Sequence, residues 1–516
     1  MTVSDPDRGI TVTEISPMDQ PIRWSSTSTA AFIGRSLRGP LDTPVLVESI
    51  GAFTRRFGGR WKRGSLFDAA EQFFLHGGQR LYVVRVANNA TGATLELPAP
   101  YGVLRLCALA PGTSEVLRAA VDYDGIDDPA QFNLTIQRLS PENRFVIDQE
   151  IFSGVSCNSG TADFVGDALI KSRLVEMSPA PPSGKPYATM GPAAEARAPY
   201  ILAATRGSDG ADLCDYDLVG SAQRGTGLFS LEAVEDLDII YLPPRSPQHD
   251  AGPAALLAAE VYCRRRGAML VMDPSSAWRD AQAAVNGIEE TGLASAHIVT
   301  YFPRLIEAKN EHPAGAAVAG LLCKLDALRG PWGSLATEGY TFGRGMRPAR
   351  DVSEAEKQLL LRHGVNPISV GIDGRLTLAG GVTLARDGQL NVINSSLATK
   401  RFALKIARSV ERATRWAVFE QDRALAADRV ERQVEELLHE LGQRGAIRAA
   451  FVRCETHHDT PHLDSERGLA VMLVLQTRTD PELISLTLYQ TASGCRVAST
   501  AFAPVDELHA VGSDAA

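Results

Sequence analysis

Three imidazoles and two carboxylates fall within eight residues at His457-His458-Asp459-Thr460-Pro461-His462-Leu463-Asp464, a donor set that zinc or nickel could use. The spacing is not that of a helical H-E-x-x-H pair. Pro461 interrupts the run, and segments that read as strands flank it, so a solvated loop accounts for the same residues. Asp273-Pro274 closes a predicted strand, which is where α/β enzymes place functional carboxylates; an Asp capping the following turn is the equally good alternative. Phe342-Gly343-Arg344-Gly345 sets an arginine between glycines, a pattern that either touches an anion or marks a tight turn. No G-x-x-x-x-G-K-[ST] loop, no G-x-G-x-x-G after a strand and no G-x-S-x-G elbow is present, so the common nucleotide cradles and the serine nucleophile are missing. An enzyme or metal protein would have to work through Asp273 or the His457/His458/His462 loop.

The chain has 516 residues, 52 Lys plus Arg against 61 Asp plus Glu, and a net charge of −9. At roughly 100–200 residues per domain this allows about three domains, each able to bury a core without disulfides or metals. No dense Lys/Arg run supplies a nucleic-acid footprint. No apolar run nears the roughly 18 residues of a membrane span, and the acidic start Met1–Asp7 carries no signal-peptide core, so the expected setting is the cytosol. Seven cysteines, never in a C-x-x-C pair, read as reduced thiols. Arginine outnumbers lysine 44 to 8, which coding bias explains; arginine also suits interface ion pairs.

Among the elements, Ile10–Ile15 alternates like a strand but is followed by Pro17 and Pro21 and has no evident hairpin partner. From Thr29 the pattern is α/β: strand Ala30–Gly34, helix Ser65–His76, strand Leu81–Val86. Between Asn88 and Pro186 short strands separated by turns predict an inserted all-β module, with Ser178–Pro186 as a proline-rich exit. The α/β alternation resumes with strand Leu237–Leu242, helix Ala254–Arg266, strand Ala268–Met272, helix Asp280–Glu290 and strand Ala296–Tyr301, which predicts a mostly parallel sheet. Residues 312–350 read as loop. Helices are expected over Lys400–Thr414 and Arg423–Leu441, then strands Leu469–Leu475 and Leu483–Tyr489. In the last strand Ile484, Leu486 and Leu488 alternate with polar residues, so one face must be covered.

A strand at each end without a sequence neighbour leaves backbone donors and acceptors to be satisfied by another subunit, through strand addition. If donor and acceptor surfaces differ, the contact repeats into a ring or an open helix. A self-assembling structural protein therefore outranks an enzyme.

Several segments resemble the contractile tail sheath family of phage tails, R-type tailocins and extracellular contractile injection systems. They include Arg8–Glu14, Ser26–Gly34, Arg38-Gly39-Pro40, Phe57-Gly58-Gly59, Phe73–Gly78 leading to Tyr82–Val86, and Gly207-Ser208-Asp209-Gly210. Later ones are Leu242-Pro243-Pro244, Asp273-Pro274, Arg329–Trp332, Gly364–Ile368, Lys400–Phe402, Trp416–Glu420 and Phe451–Cys454. The resemblance runs nearly end to end; Glu420-Gln421-Asp422 departs from the family's usual turn.

The resemblance implies an α/β (α+β) multidomain fold. Its parts would be an N-terminal arm (1–24), a sheath core (25–87), an inserted outer β domain (88–186), an α/β domain (187–350), an inner C-terminal α/β domain (351–480) and a C-terminal strand and arm (481–516). It implies a subunit polymerising as stacked hexameric rings around an inner tube and contracting to drive the tube through an envelope. The implied partners are further copies of itself, the tube protein, and baseplate and terminator proteins, with no cofactor, nucleic acid or membrane contact. Assembly would take place in a bacterial cytoplasm, before the sheath becomes part of a tail or injection particle. Ile10, Val12 and Ile15 would serve the first arm and Ile484, Leu486 and Leu488 the second. Glu435, Glu436 and Glu440 would face the tube, a charged face being otherwise merely solvated.

Overall fold

The computed structural model describes residues 2–5, 10–13, 20–25, 27–178, 180–189, 200–308, 310–335, 340–343, 345–371, 374–386, 392–456, 468–478, 483–491, 494–499 and 509–510. Short apolar runs such as Ala31-Phe32-Ile33 and Ile298-Val299, buried on both faces, form the centre of an eight-stranded sheet. Six of its strands are parallel, in the spatial order Val365–Val370, Ile298–Phe302, Met269–Met272, Ile239–Tyr241, Thr29–Gly34, Arg80–Arg85. Antiparallel strands Leu376–Leu378 and Val45–Val47 close the two sides. The order reverses direction between Thr29–Gly34 and Ile239–Tyr241, the switch point of a doubly wound sheet.

Helices cover both faces. Pro253–Arg266 has proline at its first turn and Gly267 in the left-handed conformation at its end, and Ala281–Thr291 is capped by Asp280 Oδ1 accepting from the Ala283 N–H at 2.8 Å. Residues 312–350, expected as loop, contain helix Gly315–Leu328, which is buried around most of its circumference. A helix apolar on all sides has no 3.6-residue stripe for the sequence to reveal. It lies so close to helix Leu66–Leu75 that a Cβ on Gly320 would sit 2.4 Å from the Phe73 carbonyl oxygen.

The β module is a sandwich of a three-stranded sheet (Val175–Met177, Gly102–Ala108, Thr94–Ala99) and a four-stranded one (Val146–Ser156, Gln131–Leu139, Val116–Asp122, Ile201–Leu202) around its own apolar core. Its boundary differs from the expected 186, because Ile201–Leu202 pairs with Arg118 and Ala119. The chain leaves only after zipping against its own entry, through bridges Thr94↔Thr205, Thr91↔Ser208 and Asn88↔Ala211. A Cβ on Gly210, whose φ is +73°, would lie 2.0 Å from the Asn88 carbonyl oxygen, so this neck requires glycine there. Arg85, fully buried beneath the neck, donates to the carbonyl oxygens of Gly39 and Pro111, each at 2.6 Å.

The C-terminal unit packs helices Leu397–Thr414 and Arg423–Gln443 on a five-stranded antiparallel sheet. A charged seam joins it to the parallel sheet. Arg401, Lys405, Arg408 and Arg412 recur at helical spacing and meet Asp326, Ser28, Asp238 and Asp236 respectively, with Lys405 Nζ 3.2 Å from Ser28 Oγ and Arg412 2.6 Å from Asp236. Burial opposes ionisation of Asp238, but Arg408 and Lys405 outweigh it and hold the carboxyl below its usual range.

Candidate functional site

The first terminal segment is a hairpin. Ile10–Thr13 pairs antiparallel with Thr2–Asp5 in the register Thr2↔Thr13 to Asp5↔Ile10, which corrects the expectation that this strand has no neighbour. Ile10 and Val12 lie on its second strand, and Ile15 lies outside the described residues. The hairpin is a separate two-stranded sheet, and among the described residues neither outer edge has a partner strand. Behind it the chain is anchored to the C-terminal unit: Gln433 Nε2 donates to the Gln20 carbonyl at 2.7 Å, Ile22 is buried, and the Trp24 ring lies 6.0 Å from that of Phe402.

At the other end the strand order is Gly494–Ser499, Leu483–Thr491, Leu469–Thr477, Ile447–Thr456, His509–Ala510. Leu483–Thr491 therefore has its own chain on both sides, and Ile484, Leu486 and Leu488 are buried against helices of the same unit. The expectation that these three belong to an arm covered by another subunit is corrected. Alternation revealed a covered face, but the cover is intramolecular. The open backbone lies elsewhere. His509–Ala510 pairs only with Ala449 and Ala450, so the edge of Ile447–Thr456 beyond them has no partner strand among the described residues. Cys454 N–H on this strand instead donates to Glu431 at 2.9 Å.

Helix Arg423–Gln443 starts at Asp422, whose Oδ1 accepts from Leu425 N–H at 3.0 Å. It buries Val430, Val434, Leu437, Leu438 and Leu441. Glu435 and Glu436 point outward without an ion pair among the described residues, whereas Glu440 is half-buried and pairs with Arg444.

A cleft of about 910 Å³ opens at the carboxyl ends of the parallel strands, lined by Tyr241, Arg304, Glu307, His312 and Gln72 among others. Asp273 stands behind it. Its Oδ2 accepts from Tyr241 Oη at 2.7 Å and its Oδ1 from Gly315 N–H at 3.0 Å, so it caps the buried helix Gly315–Leu328 rather than the turn that follows it. Burial pushes the carboxyl up to about 7, against the pull of these two hydrogen bonds and of Arg304. A carboxylate holding a tyrosine and a helix end already has its oxygens engaged, and the arrangement accounts for Asp273-Pro274 without catalysis. His457, His458 and His462 lie outside the described residues, and among the described residues no group of His, Cys, Asp and Glu converges as a metal-ligand set. Among them, too, no helix is long and apolar enough to cross a membrane.

No protein-family model matches the chain, and the search of curated proteins found no match. Solved structures do match over nearly all of it. The sheath tail protein Lin1278 from Listeria innocua aligns with a TM-score of 0.61 at 13% identity, covering 92% of this chain and 97% of its own. The sheath tail protein from Desulfitobacterium hafniense aligns at 0.55 and 14% identity, covering 94% and 100%. The helical sheath of the anti-feeding prophage in its contracted state aligns at 0.51 and 15% identity, covering 98% and 97%. The fold is that of tail sheath proteins, over the inserted module and the C-terminal unit alike.

Proposed function

We propose that this chain is the structural subunit of a contractile tail sheath, polymerising as stacked hexameric rings around an inner tube and contracting to drive that tube through a target envelope. The observation that carries this reading is the end-to-end likeness to sheath proteins, one of them a helical sheath in its contracted state. Two features of the chain support it. Near each end of the chain a short strand has an outer edge with no partner strand among the described residues, the form that strand addition between copies uses. The domains are separately cored bodies joined by seams and necks, suited to moving rigidly while exchanged strands keep the lattice connected.

On this reading the N-terminal hairpin opens or docks whole onto a neighbour's sheet edge, with Ile10 and Val12 in contact, and the open stretch of Ile447–Thr456 is an acceptor. Glu435, Glu436 and Glu440 face the tube. Contraction draws its energy from new burial between subunits and needs no nucleotide. Baseplate and terminator proteins would bound the polymer, and assembly would precede release from a bacterial cytoplasm. The test is co-expression with the tube protein: decorated tubes are expected, and tubes that remain bare beside monomeric subunit would contradict the proposal.

A further inference from the structure

Between the parallel-sheet core and the β module lies a groove of about 1020 Å³, large for a small-molecule pocket and of a size for a loop tip. Its floor includes edge strand Val45–Val47, and its walls carry Arg38, Arg55, Arg56, Arg138 and Arg173 against only two acids, Asp148 and Glu176. Arg138 is committed to Glu115 at 2.9 Å, and Arg173 lies 3.7 Å from Glu150. Arg38 donates to the Thr54 and Arg55 carbonyl oxygens at the end of helix Ile50–Phe57, while its buried Nε has no partner among the described residues. Arg55 and Arg56, in the last turn of that helix, are exposed and have no ion pair among the described residues. The groove is thus cationic, with two arginines uncommitted.

The module supplies the complementary charge at its opposite end. The loop from Asp122 to Asp128 holds Asp122, Asp124, Asp127 and Asp128 and contains no lysine or arginine. Asp122 and Asp128 are used locally, accepting from Asn133 Nδ2 at 2.7 Å and Ala130 N–H at 2.8 Å. Asp124 and Asp127 are exposed and have no ion pair among the described residues. Strand register fixes the separation. Val116, Leu139 and Val146 are neighbours at the groove end, and Asp122 is opposite Asn133 at the other. Seven residues at about 3.3 Å each put loop and groove roughly 20 Å apart on one copy, so they meet only between copies.

We propose that the Asp122–Asp128 loop of one copy seats in the arginine groove of the next. The two surfaces differ, so the contact is heterologous and repeats from copy to copy. This inference rests on the self-assembly reading above and adds to it a contact made by the module rather than by terminal strands.

The test is reciprocal charge reversal in the full chain. Arg55→Glu/Arg56→Glu and Asp124→Lys/Asp127→Lys should each lose polymer in sedimentation and electron microscopy, while their melting curves stay as in the wild type because all four side chains are exposed. Mixed one to one, the two variants should assemble again, each loop then meeting a groove of opposite sign. A bismaleimide linker should join Arg56→Cys to Asp127→Cys chains across copies and should not join either variant to itself above the wild-type background. Polymer at wild-type levels from both reversed variants overturns the contact alone, as does failure of the mixture to recover. Wild-type protein that never assembles overturns the sheath reading and this contact together.

Discussion

Arg401 and Asp326 form an ion pair with almost no solvent contact, the two side chains being 5% and 0% exposed, and it links a C-terminal helix to the helix buried against the parallel sheet. Asp326 also accepts from Ser28 Oγ, which in turn is reached by Lys405. The C-terminal unit is thereby fixed to the core through a charge that water cannot replace.

Breaking that pair from one side should be costly. Arg401→Met is expected to lower unfolding free energy by about 3–5 kcal/mol, because the buried carboxylate loses its direct cation and keeps only Ser28 Oγ with Lys405 behind it, and Arg401→Met/Asp326→Leu should recover part of the loss. Urea denaturation of the unassembled protein measures both; equal instability of the double variant would contradict the assignment.

Gly320→Ala reverses a familiar sign. In an open helix the change is worth about 0.5–1 kcal/mol in stability. Here the new Cβ would press on the Phe73 carbonyl oxygen at 2.4 Å, so the helices must separate, at a cost of about 1–3 kcal/mol. A melting temperature at or above wild type would refute the close crossing.

Much of this was legible in the sequence, and the misses have physical causes. The strands of the parallel sheet stood out as short apolar runs because both faces are buried, and helix Arg423–Gln443 because only one face is. Helix Gly315–Leu328 was hidden by uniform burial and small residues. The pattern of Leu483–Thr491 picked out the apolar face but not the burial of Ser485 and Thr487 on the other, and it carried no information on what covers either, since an own helix and a neighbour's sheet select the same residues. The hairpin partner of Ile10–Thr13 was missed because Thr2–Asp5 is four residues long with one strongly apolar side chain. Gly207-Ser208-Asp209-Gly210 was visible as a motif, but the reason for its glycines, the crossing of entry and exit chains at the module's neck, is tertiary.

Asp273 makes stability fall as pH rises. Its folded-state value of about 7 stands above the ordinary 3.8, so the folded chain holds the proton more tightly. The contribution is full below pH 4 and is lost as pH climbs through 7. Asp273→Asn keeps an acceptor for Gly315 N–H and does not titrate. The fall in unfolding free energy between pH 4 and pH 8 should shrink by up to about 4 kcal/mol, read from urea curves at the two pH values. An unchanged slope would place the titration elsewhere.

Deleting residues 1–16 removes the hairpin but retains Gln20, Ile22 and Trp24 on the C-terminal unit. The truncated chain should fold with little change in its melt and should form no sheath. Sheaths of normal length from this deletion would sink the arm hypothesis.

The most direct measurement is negative-stain electron microscopy of the protein expressed alone and with a candidate tube protein. Tubes bearing helical striations, long when the chain is expressed alone, are the result the proposed sheath function predicts. Monodisperse monomers in both preparations would contradict it.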